Sequence, residues 1–340
     1  MTYLVTKSNT ISEFGSVVLN VKETSEKVDC SGAAVVIIQD NKLRVEEYWG
    51  HQSKELNARP IQADTQFHVA SVRKSYIGFA VAYAVHTGCI YSIDDLISKY
   101  LPHLDAPLLG ETTLRHCLTH THGLKRMDGT VVREFQPGTN WAYRNVGIEL
   151  LCQLVRKTTG KTIAEIFHEQ VFLPFGFKET GWYGNSFEKL VDVIREPSNP
   201  HWYRSENTNG SEMNMYVSAR ELANWGSLHL NKGKFKGEQV ISEDIINMVT
   251  SIQTPQSVEA IKPQNGFLWY VKEGPSSQSE MGDLVPKGSY QILGYTGVTL
   301  LVIPKHHLVA VRAFNSFGSP QGFDYLADVR SFGDTIMRCL

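Results

Sequence analysis

A serine and a lysine stand three residues apart, at Ser71 and Lys74, just before an apolar stretch. The stretch from Ser75 to Val85 carries no formal charge and predicts a helix that is buried on nearly all sides. Residues three apart on a helix share a face, so the Ser71 hydroxyl and the Lys74 amine can meet. Serine needs an adjacent base to act as a nucleophile, and burial lowers the pKa of an amine toward that role. The pair therefore predicts a covalent serine catalyst.

A second pair, Ser186 and Lys189, has the same spacing. It lies in a stretch that contains glycine and asparagine, has Glu188 beside it, and is followed by no apolar helix. Without burial an amine stays protonated and cannot accept the serine proton. We interpret this second pair as a surface coincidence.

Tyr143 and Asn145 follow a turn that begins at Pro137 and runs into a predicted helix. A phenol near a buried lysine can relay a proton to a leaving group, and an amide can hydrogen-bond a substrate carbonyl. The structural alternative is a loop tyrosine followed by a helix-capping asparagine. The same pattern occurs at Tyr183 and Asn185, where no comparable motif accompanies it.

A third element, Gly-Tyr-Thr-Gly-Val over 294–298, opens a predicted strand. A strand edge here could align a substrate through its backbone. One amide N–H of this element could stabilise an oxyanion together with the N–H of the serine itself, and each such donor contributes about 10²–10³ in rate. The structural alternative is a glycine-bracketed turn before a core strand. Residues 86–88 (His-Thr-Gly) resemble the element more literally, but they end the apolar helix, where glycine is a common C-cap.

The overall composition limits the partners that the protein can have. The 340 residues are 42% hydrophobic and 20% charged, with a formal net charge of −2, which favours no nucleic-acid and no membrane partner. Five scattered cysteines without a Cys-x-x-Cys pair indicate a reducing compartment. The first 16 residues lack a signal-peptide core, and the apolar stretch is too short to span a membrane. We expect a cytoplasmic protein that acts on a small molecule, and leave its oligomeric state open.

Apolar periodicity and turn residues predict the elements that must position these side chains. They are a hairpin over 33–50, helices over 93–97, 113–118, 146–158 and 324–338, a helix opened by a capping box at Ser218 and Glu221, a loop over 186–210, and strands over 297–303 and 308–315. Strands at both ends predict an α+β fold, in which helices flank an antiparallel sheet built from the N- and C-terminal segments. We predict a sheet domain of residues 1–80 and 225–340, an inserted, mostly helical domain of residues 81–224, and the active site at their junction.

The three elements, taken in order, resemble those of the serine β-lactamase and penicillin-binding protein superfamily. Their separations resemble those of its class C branch, which includes D,D-peptidases, D-aminopeptidases and esterases. Residues 118–124 (Leu-Thr-His-Thr-His-Gly-Leu), 135–145 and 174–177 (Pro-Phe-Gly-Phe) are also similar to segments of that family. The resemblance covers residues 30–335.

The resemblance implies a role for each candidate residue. Ser71 would be the acylated nucleophile and Lys74 its general base, and Tyr143 would shuttle protons to the leaving group and help to activate the deacylating water. Asn145 would hold the acyl side chain of the substrate. The backbone N–H groups of Ser71 and Val298 would form the oxyanion hole. The third element would bind the substrate through Tyr295, Thr296, Gly297 and Val298.

Tyr295 departs from the family pattern, because lysine or histidine usually stands there and helps to hold a substrate carboxylate. A neutral tyrosine favours an esterase, amidase or acyl-transfer enzyme whose substrate lacks that carboxylate. Lys287 or Arg312 could supply a replacement charge, or each could be an ordinary solvated or sheet-face residue. Arg144, inside the tyrosine motif, replaces a typically small residue and is expected to narrow or charge the site entrance.

Alternatives to this assignment remain open. His120 and His122 could ligate a metal, but no third and fourth ligands accompany them, and we expect no metal and no cofactor. Trp202 and Tyr203 could line the acyl pocket or lie on a surface loop. Among functions, a peptidase or β-lactamase acting on peptidoglycan-like or β-lactam amides competes with the small-ester or amide hydrolase, and a catalytically weak scaffold is the third possibility.

Overall fold

The computed structural model describes residues 13–196, 199, 202–203, 205–274 and 277–340. The helices are α1 Gly15–Lys27, α2 Arg73–His86, α3 Ile97–Tyr100, α4 Ala106–Leu109, α5 Leu114–Leu118, α6 Val146–Thr159, α7 Ile163–Phe167, α8 Leu173–Phe175, α9 Ala219–Leu230, α10 Glu243–Thr250 and α11 Tyr325–Met337. The strands are β1 Gly32–Gln39, β2 Lys42–Gly50, β3 Gln66–His68, β4 Leu124–Met127, β5 Thr130–Arg133, β6 Thr180–Trp182, β7 Met215–Ser218, β8 Lys234–Phe235, β9 Glu238–Gln239, β10 Tyr270–Val271, β11 Tyr290–Leu293, β12 Thr299–Ile303 and β13 Leu308–Phe314.

The main sheet is antiparallel and joins the two ends of the chain, in the strand order β10-β11-β12-β13-β1-β2. Strands β12 and β13 are buried along their whole length, because helices cover both faces of the sheet. In β1, alternate residues enter two different hydrophobic cores, one that contains α1 and α11 and one that contains α2 and α9. The predicted α+β fold with a sheet from both terminal segments is confirmed.

Several local predictions are also confirmed. Strands β1 and β2 form the predicted hairpin, and Asp40 and Asn41 adopt positive φ angles of 51° and 59° in its turn, as a two-residue hairpin loop requires. Helix α6 ends at Gly160, whose φ of 71° gives the left-handed cap expected there. The last strand and the last helix lie where the periodicity places them.

Three local predictions are wrong. The helix predicted over 93–97 begins only at Ile97, because the Asp95 carboxylate accepts hydrogen bonds from Ser92 N and Tyr100 Oη and holds a turn instead. The capping box at Ser218 is half formed: Ser218 Oγ accepts from the N–H of Glu221, but the Glu221 carboxylate is engaged elsewhere.

The third wrong prediction concerns residues 294–298, which do not open a strand. They form the tight turn between β11 and β12, and β12 begins only at Thr299. The Gly297 N–H donates to Gly294 O (2.9 Å) and the Gly294 N–H donates to Val298 O (2.8 Å), so the turn closes on itself.

A small sheet in the order β3-β7-β6 leads the chain toward Ser71. Helix α9 follows β7 and packs closely on the main sheet, where a Cβ at Gly226 would lie 2.6 Å from Val309 Cγ1. The predicted loop over 186–210 lies partly outside the described residues, and its described part contains no helix or strand. The division into two domains remains a prediction. No helix in the described ranges is long and apolar enough to cross a membrane.

Candidate active site

Ser71 lies on a strained turn between β3 and α2. Residues Ala70–Val72 form one 3₁₀ turn, closed by a hydrogen bond from Val72 N to Val69 O (3.0 Å), and α2 continues from it. Ala70 adopts a φ of 45°, which costs an alanine about 1–3 kcal/mol. Surrounding packing must compensate this strain, and such strain is typical of functional sites.

Lys74 is hydrogen-bonded to both of its predicted partners. Its Nζ lies 2.8 Å from Ser71 Oγ and 2.7 Å from Tyr143 Oη. The first partner comes from the same helical turn, whereas Tyr143 comes from the segment that precedes α6. The structure therefore brings together the serine, the amine and the phenol in one hydrogen-bonded chain.

Burial sets the protonation states of this chain. Only 2% of Lys74 is exposed, and loss of water together with the nearby charge of Arg73 holds the pKa of its amine well below the usual 10.5. Burial also raises the pKa of Tyr143 to about 12, so the phenol keeps its proton. A neutral amine can take a proton from Ser71, and a neutral phenol can give one to a leaving group.

His120 supports Tyr143 from the side. Its ring centroid lies 4.6 Å from that of Tyr143, and its backbone carbonyl accepts a hydrogen bond from Ala142 N (3.0 Å). Burial and the nearby Lys74 hold the pKa of His120 well below 6.5, so the imidazole is neutral. The Nδ1 of His122 accepts from Leu124 N (3.0 Å). Across the described residues, no group of three or more His, Cys, Asp or Glu side chains is placed to hold a metal ion.

Asn145 stands at the mouth of α6, two residues after Tyr143. Its carbonyl accepts from Ile148 N (2.9 Å) and Glu149 N (3.0 Å), while its side chain makes no capping hydrogen bond. The side chain is exposed and lines a cavity that Arg73 also lines. The amide of Asn145 therefore does not cap the helix and lines this cavity instead.

The turn over 294–298 is held against the backbone that precedes Ser71. Thr296 is buried, and its hydroxyl donates to the carbonyl of His68 (2.5 Å). Gly294 approaches so closely that a Cβ there would lie 2.3 Å from the carbonyl oxygen of Val69. This packing explains the glycine and brings the backbone of Gly297 and Val298 to the Ser71 side of the fold.

Tyr295 projects from that turn, at the position where the family pattern has a lysine or a histidine. Its side chain is 47% exposed, and its ring packs edge-to-face on Phe317 at 5.0 Å between centroids. Neither proposed replacement charge is available: Lys287 pairs with Glu273 (2.5 Å), and buried Arg312 pairs with Asp328 (2.5 Å).

The other departure, Arg144, is engaged away from the catalytic chain. Its guanidinium makes two hydrogen bonds to the Glu134 carboxylate, at 2.9 and 3.0 Å. The ion pair fastens the tyrosine segment to the strand that precedes it. The expectation that Arg144 charges the site entrance is wrong, because its charge is paired.

The second copies of the motifs lie apart from this site. Ser186 is exposed and Lys189 pairs with Asp64 (3.2 Å). Tyr183 packs its ring against Phe187 at 4.9 Å. The surface interpretation of the Ser186–Lys189 pair is confirmed by the exposure of Ser186.

Trp202 lines a cavity of about 740 Å³, as Tyr203 does, and its ring lies 4.9 Å from that of His68. Sequence reasoning missed two charged residues near the site, the buried Arg73 and the half-buried Glu280. Burial raises the pKa of Glu280 to about 7, and its charge acts on Tyr143, but its neighbours in sequence carry no signal of this. For Arg73 the sequence did offer a signal, because this charged residue stands between Ser71 and Lys74.

The comparisons with known proteins agree with this geometry. The family model described as Beta-lactamase matches residues 19–333, so the chain belongs to the beta-lactamase family, within the superfamily of serine β-lactamases and penicillin-binding proteins. Members of this superfamily are serine hydrolases. An uncharacterized protein of Alkalihalophilus pseudofirmus is 62% identical over 97% of this chain and 97% of its own length. A putative D-alanyl-D-alanine carboxypeptidase of Escherichia coli O157:H7 is 23% identical over 87% of this chain and 81% of its own.

Solved structures share the fold. A penicillin-binding protein homologue from Caulobacter crescentus has a TM-score of 0.75 at 16% identity, with 96% of this chain and 98% of that chain covered. EstCE1, a hydrolase with promiscuous acyltransferase activity, has a TM-score of 0.72 at 16% identity and the same coverage of both chains. At this identity the likeness establishes the fold and leaves the substrate open.

Proposed function

We propose that the protein is a serine hydrolase that acts on a small ester or amide through a covalent acyl-enzyme. The observation that carries the proposal is the position of Lys74 Nζ, 2.8 Å from Ser71 Oγ and 2.7 Å from Tyr143 Oη in a buried site. A buried amine between a hydroxyl and a phenol has a clear chemical use and no evident structural one. This argues against a catalytically weak scaffold.

Acylation would use Lys74 as the base. Its neutral amine takes the proton from Ser71 Oγ, which attacks the carbonyl carbon of the substrate, and the N–H groups of Ser71 and Val298 receive the oxyanion. When the tetrahedral intermediate collapses, Tyr143 gives its phenolic proton to the departing oxygen or nitrogen and regains one from the Lys74 ammonium. The acyl group is then bound to Ser71, and Lys74 and Tyr143 have returned to their initial protonation states.

Deacylation would reverse the same transfers with water. The Lys74–Tyr143 pair removes a proton from the water, which attacks the acyl-enzyme, and Ser71 Oγ recovers the proton as the acid departs. In both halves of the reaction, side chains of this chain carry the protons to the leaving group and from the water. The proposal therefore calls for no metal or cofactor.

The neutral Tyr295 supports an ester, amide or acyl-transfer substrate over one with a carboxylate on that side. The named alternative is a peptidase of D-alanyl peptides or a β-lactamase, and the similarity to putative D-alanyl-D-alanine carboxypeptidases favours it. We expect Tyr295→Lys to raise acylation by β-lactams about tenfold and to lower ester turnover, because a cation at this position holds a carboxylate. Measured second-order acylation rates that are unchanged for both substrates would contradict this account of specificity.

The intact mass after treatment with a fluorophosphonate probe tests the central proposal. Wild type and Ser186→Ala should each gain one adduct, and Ser71→Ala should gain none, because Ser71 has a buried amine within 2.8 Å whereas Lys189 pairs with Asp64. The Ser186 variant is a matched control, since its serine has the same sequence spacing to a lysine. A folded wild-type protein without an adduct would overturn the proposed function.

A further inference from the structure

Arg73 is a buried cation within the catalytic segment that the proposed mechanism does not use as a reacting group. It is 4% exposed, and its Nε and Nη1 have no hydrogen-bond partner in the described part of the chain. No carboxylate among those residues lies within 4.0 Å of its guanidinium. A buried charge without a partner is costly, because desolvation is not compensated. The cost is explained if the guanidinium has a partner that binds from outside.

Arg73 lines a cavity of about 510 Å³ that could admit such a partner. The other charged side chains along this cavity already have partners: Glu149 pairs with Arg126 (2.6 Å), Arg156 with Glu165 (3.2 Å), and Glu212 accepts from Tyr203 Oη (2.8 Å). Arg73 thus keeps two hydrogen-bond donors without a partner among the described residues. Its guanidinium is suited to a ligand group that is negatively charged.

Two residues that line the cavity lie close in sequence to the proposed reaction centre. Arg73 is two residues after Ser71, and its charge acts on both Lys74 and Tyr143. Asn145, which also lines the cavity, is proposed to hold the acyl side chain of the substrate. The cation therefore lies on the acyl side, whereas the usual cation of the family is replaced by Tyr295 on the turn over 294–298.

We propose that this cavity is a subsite for a carboxylate at the far end of the substrate's acyl group, with Arg73 as its specificity-determining cation. The inference rests on the proposed acyl-enzyme function. The carboxylate accepts charge-assisted hydrogen bonds from the Arg73 guanidinium, and the amide of Asn145 binds the acyl chain between that carboxylate and the scissile carbonyl. The preferred substrates are then esters or amides of dicarboxylic acids rather than of simple fatty acids.

Two p-nitrophenyl esters of equal acyl length test the proposal: the monoester of adipic acid, which ends in a carboxylate, and the hexanoate, which ends in a methyl group. In wild type, kcat/KM should be at least tenfold higher for the adipate ester. In Arg73→Gln this ratio should fall at least tenfold, because the adipate ester loses a charged partner that the hexanoate never had. Arg73→Lys should recover part of the ratio, and Lys287→Gln, which removes an exposed cation elsewhere, should leave it unchanged.

Two results would overturn the subsite. Equal rates on both esters in wild type would show that no cation binds the carboxylate at the end of the acyl group. Equal loss on both esters in Arg73→Gln, with a shift of the pH–rate profile, would show that Arg73 acts only on the amine of Lys74.

A binding measurement separates this proposal from the catalytic one. Calorimetry on Ser71→Ala should detect the monomethyl ester of adipate but not methyl hexanoate, and the further change Arg73→Gln should weaken binding of the adipate ester at least tenfold. Absence of adipate-ester binding overturns the subsite even if the probe labels Ser71. Absence of labelling with intact, Arg73-dependent adipate-ester binding overturns the hydrolase and leaves the anion site.

Discussion

The chain contains two serine–lysine pairs with the same spacing, and only one of them places the amine in a buried position beside the hydroxyl. In the first, Lys74 is buried and within 2.8 Å of Ser71 Oγ. In the second, Ser186 is exposed and Lys189 pairs with the carboxylate of Asp64. The comparison teaches that spacing alone does not make an amine a base. An amine becomes a base when it is removed from water and from carboxylates, because both stabilise its charged form.

The largest expected effect separates the two lysines. Lys74→Ala should lower kcat/KM for p-nitrophenyl hexanoate about 10³–10⁴-fold, because it removes the base that activates Ser71. Lys189→Ala should leave the rate within about twofold. Lys74→Arg should be as inactive as the alanine variant, since a guanidinium does not release its proton. A Lys74→Ala enzyme with wild-type turnover would rule out the assigned base.

A smaller effect separates the two tyrosines. Tyr143→Phe should lower the same kcat/KM about 10²–10³-fold, because proton delivery to the leaving group is lost while the ring packing on His120 is kept. Tyr183→Phe should have almost no effect. If the loss at Tyr143 were confined to KM, the phenol would bind substrate rather than transfer a proton.

The smallest expected effect is on stability and its dependence on pH. The pKa of Lys74 is lowered in the folded state, so between that value and 10.5 the unfolded chain binds more protons than the folded one. The free energy of unfolding should therefore rise with pH across this window. Lys74→Met should remove that rise and be more stable than wild type near pH 7, as urea unfolding at several pH values would show.

Lys189→Met is the matched control for this measurement. Its curve of unfolding free energy against pH should run parallel to that of wild type between pH 7 and 10. A wild-type curve that is flat there, or identical to that of Lys74→Met, would mean that Lys74 is not destabilised by burial.

Local features of the fold and of the site could be predicted because they depend on residues close in sequence. The shared face of Ser71 and Lys74 follows from the helical period, and the hairpin turn at Asp40 and Asn41 from its length and residue types. The predicted strand start at Gly297 was wrong because the hydrogen bonds of the turn close at Val298 and delay the ladder. The predicted box at Glu221 failed because Lys178 N and Thr180 Oγ1, far along the chain, compete for its carboxylate.

By itself the sequence determined which groups could react and in what order they occur, since side-chain chemistry and short-range spacing are covalent properties. Only the tertiary structure decided which of them meet. Tyr143 reaches Lys74 across 69 residues, and the turn that carries Thr296 reaches His68 across 228. The same packing excludes water from Lys74 and leaves two nitrogens of Arg73 without a partner in the described part of the chain. Burial depends on every element that surrounds a side chain rather than on its neighbours in sequence.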